Sequence, residues 1–446
     1  MFRRDFVKSS MPMWFVAGAV KAAGQNDATK PAAIPPVEGY SRPAVPTVAE
    51  SPLSVRDFLE KMTYTREEVS VFLDSQQPNM SKFDPDLGFR ARDRIICDGV
   101  DGSRSIATFA KDGERTTINY ADQPCRLHVY GDSFTEGVQV SDGETWAEYL
   151  ASHLGEPVRN FGNGAYGVYQ AYRLLLRTEA ARPEAKYLIL NVFDDDHVRS
   201  VDAWKWLRYG EAYRRMPEHL HYFHSTPWAH VRLDLNSGQL LEFESPCATP
   251  ESLYNFCDKD YVYDHFKNDL VVQLFLAERG GGGVDLHALR ALATALKMPA
   301  DFSSPATTAQ SARTLHIEYG LQASRLIIEK AWSWARAENK QFMVLLCYGA
   351  GNVVRACQGL TRFDQRFVEF LHQLGIPTVD GLSKHLEDFR AFNLSPQDYV
   401  KRYFIGHYKP QGTHFFAFAI KDAVVDWLEP KPTAYRPGAE TIRSHA

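Results

Sequence analysis

The chain has 446 residues, 44% hydrophobic and 24% charged, with a formal net charge of −5. That length suits one large domain with insertions or two domains, and the composition is that of a folded globular protein rather than a disordered one. A small negative charge without a long basic run argues against a nucleic-acid partner, and no apolar run approaches the roughly 18 residues of a membrane span.

The chain opens MFRRDFVKSSMPMWFVAGAVKAAG. Arg3-Arg4-Asp5-Phe6-Val7-Lys8 resembles the twin-arginine export motif; a modest apolar stretch, Met11 to Val20, follows, and then the small residues Ala22, Ala23 and Gly24. Basic, apolar, small is the order of an export signal. Residues 1–24 are therefore expected to be read by the twin-arginine export machinery of a bacterium. The protein is expected in the periplasm or outside the cell, or held at the membrane by an uncleaved signal. Residues 25–52, rich in Pro and Ala, read as a linker, and residues 53–124 as an N-terminal extension of mixed structure. The six cysteines form no C-x-x-C pair, so a zinc knuckle is not expected. Cys247–Cys257 and Cys347–Cys357 are the nearest pairs in sequence if disulfides form; buried thiols are the alternative.

From residue 125 apolar runs alternate with amphipathic ones. RLHVY is a strand ending at Gly131. Ser141 to Glu144 has capping-box spacing ahead of the helix ETWAEYLASHL. PVRNFG is a second strand, VYQAYRLLLRTEAAR a helix, and KYLILNVF a near-continuous apolar strand of the kind buried on both faces of a parallel sheet. QFMVLLCYG and IPTVDG are two more strands, separated by the helix RFDQRFVEFLHQLG, and QGTHFFAFAIKDAVVDWL closes the chain as a helix. Strands alternating with helices predict an α/β domain with a central parallel sheet, spanning 125–430, with a tail at 431–446. The alternation breaks between about 200 and 310. There VRLDLNSGQLLEFE reads as a hairpin around Asn236-Ser237-Gly238, followed by helical sequence and the glycine-rich RGGGGVD.

Gly131-Asp132-Ser133 leaves the first strand at its carboxyl end, where open parallel sheets bind ligands. A serine on such a turn exposes a hydroxyl beside its own amide, the requirements of a nucleophile that also contributes to an oxyanion hole. An ordinary turn uses the same residues. Around it, VYGDSFTEG resembles the first block of the SGNH (GDSL-type) hydrolases. RNFGNGAYGVYQAY resembles their second block, LILNVFDDDH stands in the place of the third, and GHYKPQGTHFFA resembles the last. The blocks come in family order and cover about 125–200 and 340–428. No G-x-S-x-G elbow of the α/β-hydrolase fold is present. The resemblance implies a flavodoxin-like SGNH-hydrolase sandwich.

It also implies roles. Ser133 is the nucleophile. His407, followed by Gly412 at the family's spacing, is the general base; His414 falls inside the helix pattern and reads as a surface or packing residue. The oxyanion hole takes the Ser133 N–H and a backbone N–H of FGNGAYG, where the family's glycine falls at Ala165 beside Gly164. Alanine can serve if its φ is negative. The family's third-block asparagine is replaced by Asp195, and an ionised carboxylate cannot donate. Either Asp195 is protonated, or Asn163 substitutes, or only backbone donors remain. Asp194 to His197 also offers metal-ligating groups, although consecutive strand residues point apart; a capped, solvated helix start is the plainer reading, and no metal or cofactor is expected. The family's aspartate two or three residues before the histidine is absent: Phe404 and Ile405 stand there. His407 can lean on a backbone carbonyl as a Ser–His dyad, or on Asp380 or Asp398.

The expected function is serine ester hydrolysis of acyl esters, with O-acyl carbohydrate or small esters as substrate. O-acyltransfer at the same site and a non-enzymatic carbohydrate-binding or scaffold protein are the alternatives. Trp204, Trp206, Tyr209, Tyr213, Tyr222, Phe223 and Trp228 crowd the insertion, as sugar-stacking surface or as core.

Overall fold

The computed structural model describes residues 53–76, 79–214 and 226–437. The expected export signal, the linker, Tyr222, Phe223 and the end of the tail lie outside the described residues. Five strands form one parallel sheet: β1 (Leu127–Gly131), β2 (Arg159–Gly162), β3 (Tyr187–Phe193), β4 (Gln341–Cys347) and β5 (Thr378–Asp380). Their order across the sheet is β5-β4-β3-β1-β2. That is the doubly wound, flavodoxin-like order, with its switch point between β1 and β3. All of β1 and all but the last residue of β3 are buried, as their unbroken apolar runs require. Each fully buried Leu or Ile there contributes on the order of 1.5–3 kcal/mol relative to an exposed one.

Helices flank the sheet. Ser133–Glu136 (α1) is a single turn leaving β1, capped by the Asp132 carboxylate on the Phe134 N–H. The capping box at Ser141 and Glu144 closes a short 3₁₀ turn, and Thr145 caps the helix that follows, α2 (Trp146–Leu154). Next come α3 (Val168–Ala181) and the one-turn α4 (Asp196–Arg199). The hairpin His230–Leu233/Leu240–Phe243 turns where the sequence places it, with the Asp234 carboxylate accepting the Asn236 and Ser237 N–H groups. A helix not expected from the sequence, α5 (Pro305–Ala337), runs for 33 residues and packs on α3 and on α6 (Gln365–Gln373). The last helix, α7 (Pro410–Trp427), packs on α2.

The 53–124 segment holds two short helices and two hairpins, Ser81–Asp84/Gly88–Ala91 and Arg94–Ile96/Ser105–Ala107. It is tied to the sheet domain by Ala91 N–H on Asn163 Oδ1, Tyr166 OH on the Phe89 carbonyl, and the buried Arg115. The Arg115 guanidinium donates to the carbonyls of Glu136, Gly137 and Val140 and to Asp142, fixing the loop behind Ser133.

Two alternatives left open by the sequence are decided among the described residues. All six cysteines are free thiols, so neither Cys247–Cys257 nor Cys347–Cys357 is a disulfide. The insertion tryptophans are core: Trp204, Trp206 and Trp228 are buried, and their indole N–H groups donate to Tyr64 OH, the Met62 carbonyl and the Asp202 carbonyl. Tyr209 donates to Asp195. No described helix is long and apolar enough to cross a membrane.

Candidate active site

Ser133 leaves β1 at the switch point. Gly162 makes that turn possible: a Cβ there would lie 2.2 Å from the Glu136 nitrogen and 2.6 Å from the Thr135 carbonyl carbon, so only glycine lets α1 seat on β2. His407 arrives from the other end of the chain, on a tight turn closed by the Phe404–Tyr408 bridge and the Ile405 N–H on the His407 carbonyl. Its own N–H donates to Gln139 Oε1 at 2.7 Å, and its ring packs 5.0 Å from that of Phe134. These contacts bring His407 Nε2 to 2.9 Å from Ser133 Oγ. With the ring proton on Nδ1, Nε2 can accept the serine proton.

Among the described residues no carboxylate hydrogen-bonds His407. Asp380 is bound to Arg362 and Ser383 and caps the helix after β5. Asp398 is exposed and pairs with Ser395 and Lys401. Neither is the missing acid. Phe404 is buried among His385 and Tyr408. Desolvation pushes the His407 imidazole down to about 4, and the Arg199 guanidinium adds to that shift. His414 is exposed on α7 beside Tyr149 and His153, away from Ser133.

The two groups open into a cavity of about 200 Å³, also lined by Arg94, Glu136, Asn163, Gly164, Ala165, Arg199 and Lys205. The Gly164 N–H does not point free into it: it donates to Glu136 Oε2 at 2.5 Å, while Glu136 Oε1 pairs with Arg94. Asn163 spends its oxygen on the Ala91 N–H and its amide on the Gly164 carbonyl at 3.3 Å. The N–H groups of Ser133 and Ala165 have no acceptor among the described residues.

Ala165 does not meet the expected condition of a negative φ: its φ is +69°, in the left-handed region that costs a residue with a Cβ about 1–2 kcal/mol, but its N–H is uncommitted among the described residues, so the strain does not remove it as a donor. Ala165→Gly removes that strain and gains chain entropy in the unfolded state of about 0.5–1 kcal/mol. The net expectation is a protein more stable by up to about 1 kcal/mol, read as a raised urea midpoint. A lowered midpoint would mean that the methyl packs better than the backbone strains.

The DDDH run is neither solvated nor a metal cluster. All four side chains are buried, and no group of three or more ligating residues is arranged to hold a metal among the described residues. Asp194 accepts the Gly349 N–H and the Asn352 amide, and burial pushes it up to about 6. His197 Nδ1 meets Ser324 Oγ at 2.9 Å. Burial alone would raise Asp195, but the guanidiniums of Arg208 and Arg199 outweigh it and bring the carboxyl to about 2. Asp195 is thus an acceptor locked onto Arg199 at 2.7 Å, Arg208 and Tyr209, and cannot donate to an oxyanion.

Four charged cavity side chains go unnoticed in the sequence. Glu136 and Arg199 had a local signal: one follows Ser133 by a helical turn, and the other lies three and four residues after Asp196 and Asp195. Arg94 and Lys205 had none. Comparison of the sequence with protein-family models and with curated proteins finds no match.

Proposed function

We infer that this protein is a serine ester hydrolase of the SGNH type. The observation that supports this reading best is the 2.9 Å approach of His407 Nε2 to Ser133 Oγ across 274 residues of sequence. The pair meets at the carboxyl edge of a parallel sheet, inside a cavity, with two uncommitted backbone N–H groups beside it. Ser133 Oγ forms a bond to the ester carbonyl carbon while its proton passes to His407 Nε2 and the carbonyl π pair moves onto oxygen. The Ser133 and Ala165 N–H groups meet that oxygen. Collapse expels the alcohol, which takes the proton from His407. Water, deprotonated by the same imidazole, then releases the acid and restores Ser133.

Trp204, Trp206 and Trp228 are buried and offer sugars no stacking face, and the cavity suits a small acyl group. O-acetyl groups of carbohydrate and small acetyl esters are the substrate class. The test is acetate release from p-nitrophenyl acetate and from an O-acetylated polysaccharide. Release above the uncatalysed rate supports the reading; none on either substrate, with or without an added alcohol acceptor, overturns it.

Export through the twin-arginine route is part of the proposal. Arg3→Lys with Arg4→Lys is expected to leave the protein in the cytoplasm of a bacterial host, by fractionation and immunoblot. An unchanged periplasmic yield would refute it.

A further inference from the structure

Ester hydrolysis at Ser133 needs donors aimed at the oxygen on which charge develops, and two groups at the site cannot supply them as placed. The Gly164 N–H is held by Glu136 and Asp195 only accepts, while the Asn163 amide has one of its two N–H groups on the Gly164 carbonyl at 3.3 Å and keeps the other. One further donor in the cavity is a cation. Arg199 Nε bonds Asp195 at 2.7 Å; Nη1 bonds Asp196 Oδ1 at 2.9 Å, the Tyr166 carbonyl at 3.1 Å and Asp132 Oδ2 at 3.4 Å. Its Nη2 has no protein acceptor among the described residues, and the side chain lines the cavity with Ser133 and His407. The Asp132 oxygen that accepts from Nη1 also lies 3.1 Å from Ser133 Oγ, so one carboxylate oxygen links guanidinium and nucleophile. A Cβ on Gly167 would sit 2.8 Å from the Arg199 Cβ; glycine there is what lets the arginine approach.

We propose that Arg199 is a catalytic residue that donates from Nη2 to the oxyanion of the tetrahedral intermediate, completing a hole begun by the Ser133 and Ala165 N–H groups. This rests on the ester-hydrolase reading. The arginine keeps its protons throughout; it stabilises charge and transfers nothing. Three buried carboxylates and a carbonyl hold it before substrate binds, so no reorganisation is needed as charge develops. The same cation opposes charging of His407, so its net effect on the rate is what it gives the oxyanion less what it costs the imidazolium.

Arg199→Ala strands buried carboxylates and can unfold the protein, so Arg199→Gln combined with Asp195→Asn is made as well, removing a charge of each sign. In whichever variant keeps the wild-type circular dichroism, kcat on p-nitrophenyl acetate is expected to fall about 10²–10³-fold with KM little changed. The activity midpoint is expected to move to higher pH, because a cation near His407 is gone. Methylguanidine is expected to restore part of the rate of Arg199→Ala where that variant folds. Activity within about threefold of wild type, or a lowered kcat with an unmoved pH midpoint, overturns the proposal. These outcomes are read against an active wild type and an inactive Ser133→Ala; an inactive wild type would overturn the hydrolase reading instead.

Discussion

His407→Ala is expected to lower kcat/KM for a small acetyl ester by about 10²–10⁴-fold, the span attributable to one positioned general base, and His414→Ala to change it little. The reason is position. His407 Nε2 is 2.9 Å from the serine oxygen, and His414 faces solvent on α7. The pH profile follows from the surroundings of the imidazole. Desolvation and Arg199 bring His407 to about 4, against roughly 6.5 for a free histidine. A lowered value in the folded protein means that the neutral, active base persists as pH falls, and is lost only as pH drops through that lowered value. kcat/KM is expected to rise through a single ionisation well below 6.5 and to stay flat towards alkaline pH. Placing Asp at position 404 or 405 moves the ionisation up if the new carboxylate reaches Nδ1. A wild-type midpoint above that of free histidine would mean that a carboxylate already serves His407. Activity surviving His407→Ala would point to Asp132, whose carboxylate also faces the hydroxyl at 3.1 Å.

Ser133→Ala removes the proposed nucleophile, and the expected loss in kcat is about 10⁴–10⁶-fold, because residues of a nucleophile–base unit act together. Stability is expected to move little. The side chain gives up its contacts with Asp132 and His407, worth about 1 kcal/mol net, while Asp132 keeps its partners in the Phe134 N–H and Arg199. A folded Ser133→Ala protein that still turns over acetyl ester would place the chemistry elsewhere. An unfolded one would mean that the serine is structural, which its small size and turn position argue against.

The sheet was legible because parallel strands buried on both faces must be apolar throughout: the runs at 127–131, 187–193 and 341–347 say as much without a partner in view. Ser133 was legible for the same reason, as the polar residue where such a run ends. His407 was singled out by the resemblance, through its spacing to Gly412 in the first turn of α7. The 33-residue α5 was not, since its buried positions wrap most of its circumference where it crosses α3, α4 and α6, so no single apolar stripe marks it. Nor were the partners of the acids. Asp195 stood at the right count along the strand, yet its side chain turns onto Arg199 and Arg208, and only the tertiary position of Arg208, 13 residues on, decides that. The Arg94–Glu136 pair spans 42 residues and joins the N-terminal extension to the site; charge spacing along the sequence carries no trace of it. The sign of φ at Ala165 is likewise set by how the second-block loop closes over α1.

The most direct measurement is peptide mapping of the full-length protein after treatment with a fluorophosphonate, a reagent that forms a covalent bond only with an activated serine. The account predicts one adduct per chain, on the peptide bearing Ser133, lost in Ser133→Ala and strongly slowed in His407→Ala. No adduct, or an adduct on a different serine, would contradict it.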